Sequence, residues 1–153
     1  MSIEVGSDGM IKKANAQDVP ALGRLAAMLW PHHSEEEMAE DFAELLKKMD
    51  AACFLAYDKN QPVAFAQCQL RHDYVEGTET SPVGYLEGIY VKQEAREHGF
   101  ASRLMKACED WARAERCMEF ASDCEIDNEE SLAFHLKLGF KEANRIICFT
   151  KQL

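Results

Sequence analysis

Apolar positions along the chain fall into blocks whose spacing switches between helical and extended. MIKKA at 10–14 has the form of a short first strand. In AQDVPALGRLAAMLW, Val19, Leu22, Leu25, Ala26 and Leu29 recur every three or four residues, the period of one buried helix face. Asp18 stands where an N-cap belongs, Pro20 suits the first turn, and Trp30-Pro31 ends the element. Ser34 and Glu37 have the spacing of a capping box, and Met38, Phe42, Leu45, Leu46 and Met49 supply the apolar stripe of a second helix through about residue 48. Two apolar runs in AACFLAYDKNQPVAFAQCQLRHDY, parted by DKNQ, predict a hairpin. EGTETSP reads as a polar loop and VGYLEGIYV at 83–91 as a strand rich in aromatic and β-branched residues. A helix over about 100–116, a strand in CMEFASDCE, a short helix in NEESLAFHLKLGF closed by Gly139, and a last strand in NRIICFTKQL complete the chain. The alternation in its second half predicts an α/β fold with at least one parallel strand pair.

A length of 153 residues with 47% apolar and 29% charged residues fits one domain spanning 1–153, and no repeat or Gly/Ser linker divides it. The first residues hold no uninterrupted apolar run, and no window approaches the roughly 20 apolar residues of a membrane span, so a cytoplasmic protein without a membrane partner is expected. Cys53, Cys68, Cys108, Cys117, Cys124 and Cys148 lie in apolar segments without metal-ligand spacing, which predicts buried thiols and no metal site. The formal net charge of −10 disfavours nucleic acid and anionic lipid and favours a cationic partner.

Two features carry chemistry. The connection REHGFA at 96–101 leads from a strand into a helix whose first backbone N–H groups have no intrahelical acceptor. With Arg96 beside it, with Gly99 removing a side chain and with small Ala101 in the first turn, it has the makings of a cradle for a pyrophosphate. The second feature is a carboxylate inside each of two apolar strands, Glu87 and Asp123. Burial of such a group demands a partner and points to a site, although Glu87 also suits the outward phase of a half-exposed strand and Asp123 the start of the following helix.

LEGIYV followed by EAREHGFASRLM, and DNEESLAFHLKLGF about 30 residues after Arg96, resemble the Gcn5-related N-acetyltransferase superfamily. LWPHH at 29–33, RHDYVEGTETSPVGYLEGIYV at 71–91 and ASDCEIDNEES at 121–131 look like its aminoglycoside 6′-N-acetyltransferases, bacterial resistance enzymes. The resemblance implies a mixed, splayed central sheet flanked by about four helices, with acetyl coenzyme A as cosubstrate. Arg96, Glu97, His98, Gly99, Phe100 and Ala101 would hold its pyrophosphate, the backbone of Ile89, Tyr90 and Val91 its pantetheine, and Asn128 would also touch it. Glu87 and Asp123 would bind the acceptor amine, one of them taking its proton, while Trp30, His33 and Tyr74 line the acceptor pocket. Transfer would be direct, in a ternary complex. The acids of SEEEMAEDF, among them Glu36, Glu37, Glu40 and Asp41, would border the acceptor cleft or be solvated helix charges, and an edge at NRIICFTKQL would pair two chains in a homodimer.

Two departures from the superfamily's pattern stand out. His135 replaces a tyrosine that protonates the leaving thiolate, and Asn144 precedes Arg145 where some relatives place an acid, with Glu142 nearby. Acetylation of a polyamine or a protein lysine, and a noncatalytic acyl-coenzyme A binding module, are the competing expectations.

Overall fold

A computed structural model describes residues 9–153. One five-stranded sheet runs through it in the order β1 (Met10–Lys13), β2 (Ala51–Asp58), β3 (Gln61–Arg71), β4 (Val83–Val91) and β5 (Phe120–Ala121). The first three pairings are antiparallel and β4–β5 is parallel. The expected hairpin forms between β2 and β3 around Lys59 and Asn60, both with positive φ (50° and 65°), the backbone that a two-residue connection of right-twisted strands requires.

Helices cover both faces. α1 (Val19–Leu29) and α2 (Glu35–Leu45) pack Leu22, Leu25 and Phe42 against Cys53, Leu55 and Phe65 on one side. On the other side α3 (Phe100–Ala114) sets Leu104, Met105 and Cys108 against Phe54, Ala56, Ala64 and Ala66. Alternate residues of β2 thus enter opposite cores, and a strand buried on both faces reads as a continuous apolar run. α3 is the crossover that the parallel β4–β5 pair needs. α4 (Glu129–Lys137) follows β5, and Gly139, with φ 97°, ends it.

The local signals were met with differences. Ser34 Oγ accepts the Glu37 N–H at 3.1 Å, but the Glu37 carboxylate turns to His33 instead of closing a capping box, and α2 ends at Leu45, earlier than its apolar stripe predicts. Asp18 precedes α1 without capping it. It is buried, and its carboxylate accepts the Asn15 N–H at 2.8 Å and pairs with Lys12 at 3.0 Å. Four cysteines are buried as expected, whereas Cys124 and Cys148 are exposed.

The expected last strand is absent. Residues 141–153 form no strand among the described residues and are exposed throughout. The segment carries the apolar run Ile146–Phe149, but a strand also needs a ladder partner, and none pairs with it among the described residues. Its root is anchored: Ala143 packs on Gly77, the Asn144 amide donates to Glu76, and Arg145 pairs with Glu142.

Candidate active site

The parallel pair β4–β5 is short. It joins Gly84 to Phe120 and Tyr85 to Ala121, after which the two strands part while β4 runs on to Val91. Where they part lies a cavity of about 620 Å³, floored by Gly88, Ile89, Tyr90 and Val91. β3 pairs with the far edge of this stretch, so its near edge offers backbone N–H and C=O groups to an extended ligand.

One end of the cavity is the 96–101 turn. Glu97 and Gly99 both have positive φ (66° and 82°), and α3 starts at Phe100 with no side-chain cap and no acid in its first turn. Successive N–H groups therefore converge at the positive end of the helix dipole, an arrangement that fits an anion such as a pyrophosphate. Arg96 Nε donates to the Val91 carbonyl at 3.0 Å, tying the turn to the end of β4. A side chain on Gly99 would meet no protein atom within 4 Å, so its φ, rather than protein crowding, makes glycine the fitting residue. Arg96, Glu97, Gly99, Phe100 and Ala101 line the cavity; His98 belongs to the same turn but does not.

The opposite end is acidic and aromatic. In the β3–β4 register Gln67 faces Gly88 and Cys68 faces Leu86, which leaves Glu87 as the extra residue of a β-bulge. Bulges re-aim side chains, and this one sends a strand carboxylate to the cavity wall. Glu87 is not alone there. Arg71, the last residue of β3, donates from Nε and an Nη to its Oε1 at 3.0 and 2.8 Å, and from the same Nη to Oε2 at 3.0 Å. The Arg71 guanidinium also stacks 3.4 Å from the Tyr85 ring centroid.

Tyr85 in turn donates a short hydrogen bond to Asp123, which lies two residues past β5 and lines the same cavity. Burial, reinforced by that hydrogen bond and the Asp123 charge, pushes the Tyr85 hydroxyl well above its ordinary range, so it remains a donor. The ring of Trp30 closes this wall against Gly88, where a Cβ would come within 2.7 Å of the indole. Glu87 is half-buried and Asp123 exposed, so the expected burial holds for the first and not for the second. These two are held by fixed donors and still face the space between the strands.

His135 sits between the ends. Its Nδ1 donates to the Ser131 carbonyl at 2.7 Å, and its Nε2 is 2.7 Å from Ser122 Oγ, with Ser122 and His135 both lining the cavity. Asn128 lines it too, while its Oδ1 caps α4 by accepting the Ser131 N–H at 3.0 Å.

The structure therefore brings Trp30, Glu87, Asp123, Ile89 to Val91, the turn and Asn128 to one cavity. It leaves His33, paired with Glu37 on the surface, and Tyr74, 75% exposed, outside the lining. Glu36, Glu37, Glu40 and Asp41 of α2 do not line it either. Sequence reasoning passed over Arg71, Tyr85 and Ser122 as site residues. The sequence signal for Arg71 is a charge at the end of a strand paired with the one that carries Glu87, but the bulge that makes them meet leaves no mark in composition. Among the described residues, no group of three or more His, Cys, Asp or Glu is placed to hold a metal ion.

Comparison with known proteins agrees with this geometry. Residues 19–140 match the acetyltransferase (GNAT) family. An aminoglycoside N(6′)-acetyltransferase type 1 from Acinetobacter genomosp. 13 is 42% identical over 84% of this chain and 88% of its own. One from Serratia marcescens is 39% identical over 94% and 99%. Among solved structures, AAC(6′)-Iy in complex with a bisubstrate analogue, CoA-S-monomethyl-acetylneamine, superposes with a TM-score of 0.90 at 34% identity over 95% of this chain and 99% of that one. Matched along most of its length by these relatives, the chain belongs to the acetyltransferase (GNAT) family, in the branch of the aminoglycoside 6′-N-acetyltransferases.

Proposed function

We propose that this protein, acting as a single domain, transfers the acetyl group of acetyl coenzyme A to the 6′-amine of an aminoglycoside antibiotic and so confers resistance. The observation that carries the reading is one cavity with an anion cradle at one end, a free strand edge along its floor and two carboxylates at the other. The turn binds the pyrophosphate, the backbone of Ile89 to Val91 pairs with the pantetheine arm, and Glu87 and Asp123 hold ammonium groups of the acceptor, with Trp30 packing on its rings. The reaction needs no covalent enzyme intermediate. The ammonium loses a proton to a carboxylate, directly or through water, and the amine attacks the thioester carbon; the tetrahedral oxyanion collapses by breaking the C–S bond, and the second proton shed by the nitrogen balances the one the thiolate takes up. His33 and Tyr74, each three residues beyond Trp30 and Arg71 along the chain and exposed, extend the acceptor site to the drug's outer rings.

Two further parts belong to the proposal. The cysteines are all unpaired, which suits the reducing cytoplasm. The exposed apolar tail after Arg145 pairs with a second copy to make a homodimer, because Ile146, Ile147 and Phe149 are 60%, 80% and 89% exposed and β5 presents an open sheet edge.

The test is coenzyme A thiol release from acetyl coenzyme A with neamine, with its 6′-hydroxyl counterpart, or with spermidine. Release with neamine alone supports the reading. Equal release with the 6′-hydroxyl compound, or release with spermidine only, replaces it with a general amine acetyltransferase, and cofactor binding without any release points to a noncatalytic module. Glu87→Gln and Asp123→Asn should each lower kcat/KM for neamine by roughly 10²-fold or more, with coenzyme A affinity unchanged.

A further inference from the structure

Glu87 carries a cation already. Three N–H···O contacts from Arg71 occupy its two oxygens, out of about four lone-pair positions that a carboxylate offers. Arg71 reaches it from β3 and does not itself line the cavity, whereas Glu87 does. While it holds Glu87, its guanidinium also lies over Tyr85, 3.4 Å from the ring centroid, a contact that does not depend on the carboxylate. The local ledger is two carboxylates against one guanidinium.

We infer that Arg71 is a specificity-determining residue that competes with the acceptor's ammonium for Glu87 and thereby sets the site's affinity for cations. The inference rests on the assignment of Glu87 to the acceptor. An ammonium arriving at Glu87 needs lone pairs that Arg71 holds; it gains them as the guanidinium gives up its hydrogen bonds to Oε1 and Oε2. Once the amine is acetylated it is a neutral amide, a far poorer partner for a carboxylate, and Arg71 returns to Glu87. The pair thus weakens substrate capture in exchange for a site that does not retain its product.

Binding decides this. Neamine is titrated calorimetrically into the coenzyme A-loaded protein as wild type, Arg71→Gln and Arg71→Met, the last keeping an apolar stem over Tyr85. At low ionic strength both variants should bind neamine about five- to tenfold more tightly than wild type, and the gain should shrink in about 0.5 M salt. Arg71→Lys, still a cation, should stay near wild type. In a Glu87→Gln background the gain from removing Arg71 should vanish, which a general loosening of the fold would not produce. Unchanged or weaker binding in both uncharged variants, with melting temperatures kept, overturns the inference and leaves Arg71 a clamp that orients Glu87. A gain that persists without Glu87 overturns it as well. A wild type that binds neamine but releases no coenzyme A thiol sinks the acetyl-transfer reading instead, and the Arg71 comparison still stands on binding.

Discussion

At the residue scale, the determinants of this site are positions where one side chain or its absence has no substitute. Gly99 has φ 82°, and its conversion to alanine should cost about 1–2 kcal/mol in stability. Relaxation of the turn would also rotate N–H groups out of the cradle, so the dissociation constant for coenzyme A should rise while neamine binding changes little; unaltered coenzyme A affinity would remove the turn from the cofactor site. Gly88 works by space. A methyl group there falls 2.7 Å from the Trp30 ring, and Gly88→Ala should displace the indole from the cavity wall, raising the KM for neamine and destabilising the protein by roughly 1–3 kcal/mol. Asp18 lies outside the site. Burial opposes its charge, but the Asn15 N–H and Lys12 outweigh burial and hold its carboxyl below the usual carboxylate range. A depressed folded-state value means that its contribution is present above the ordinary titration of an aspartate and lost as pH falls through the native value. Asp18→Asn should therefore cost about 1–3 kcal/mol near pH 7, and the gap to wild type in urea melts should narrow below about pH 4.

At the element scale, α3 links fold to chemistry. Its N-terminus makes the cradle and its buried face, with Leu104 fully enclosed, fixes the helix on β2, β3 and β4. Leu104→Ala should remove about 2–5 kcal/mol of stability and weaken coenzyme A binding before it affects the Glu87 wall. Equal loss at both ends would mean that the helix does not position the cradle separately. This element was legible in the sequence because everything that specifies it is local: a helical stripe, Gly99 at its entry and Arg96 before it. The hairpin was legible for the same reason, its two turn residues lying between apolar runs. What sequence could not supply came from non-local register. The β3–β4 bulge at Glu87 depends on how two strands 16 residues apart at Arg71 and Glu87 align. Likewise β5 shrinks to Phe120–Ala121 because the strands part there, and a strand-like pattern in CMEFASDCE contains nothing about where its partner leaves it.

At the scale of the whole molecule, the same limit explains the last strand and makes its own prediction. NRIICFTKQL has the apolar run of a strand, yet 141–153 is exposed and forms no strand among the described residues, since pairing is a property of two segments. Ile147 and Phe149 expose most of their surface, and two residues apart they would share one face of the tail once it pairs as a strand. Burying each on a partner is worth about 1.5–3 kcal/mol, and an open apolar edge left in water is a hazard that proteins ordinarily cover. The tail leaves from Ala143 on Gly77, beside the loop that Glu119 ties down by accepting the Thr80 N–H at 2.8 Å, so its root is fixed while its apolar part is free to reach a second chain. Light scattering should accordingly give twice the 17.3 kDa chain mass, and Ile147→Lys with Phe149→Lys should give monomers that keep the sheet and its circular dichroism. A monomeric wild type would sink the pairing. If the dimer forms but survives the two lysines, the contact lies elsewhere, and the tail's apolar face must be covered by something other than a copy of this chain.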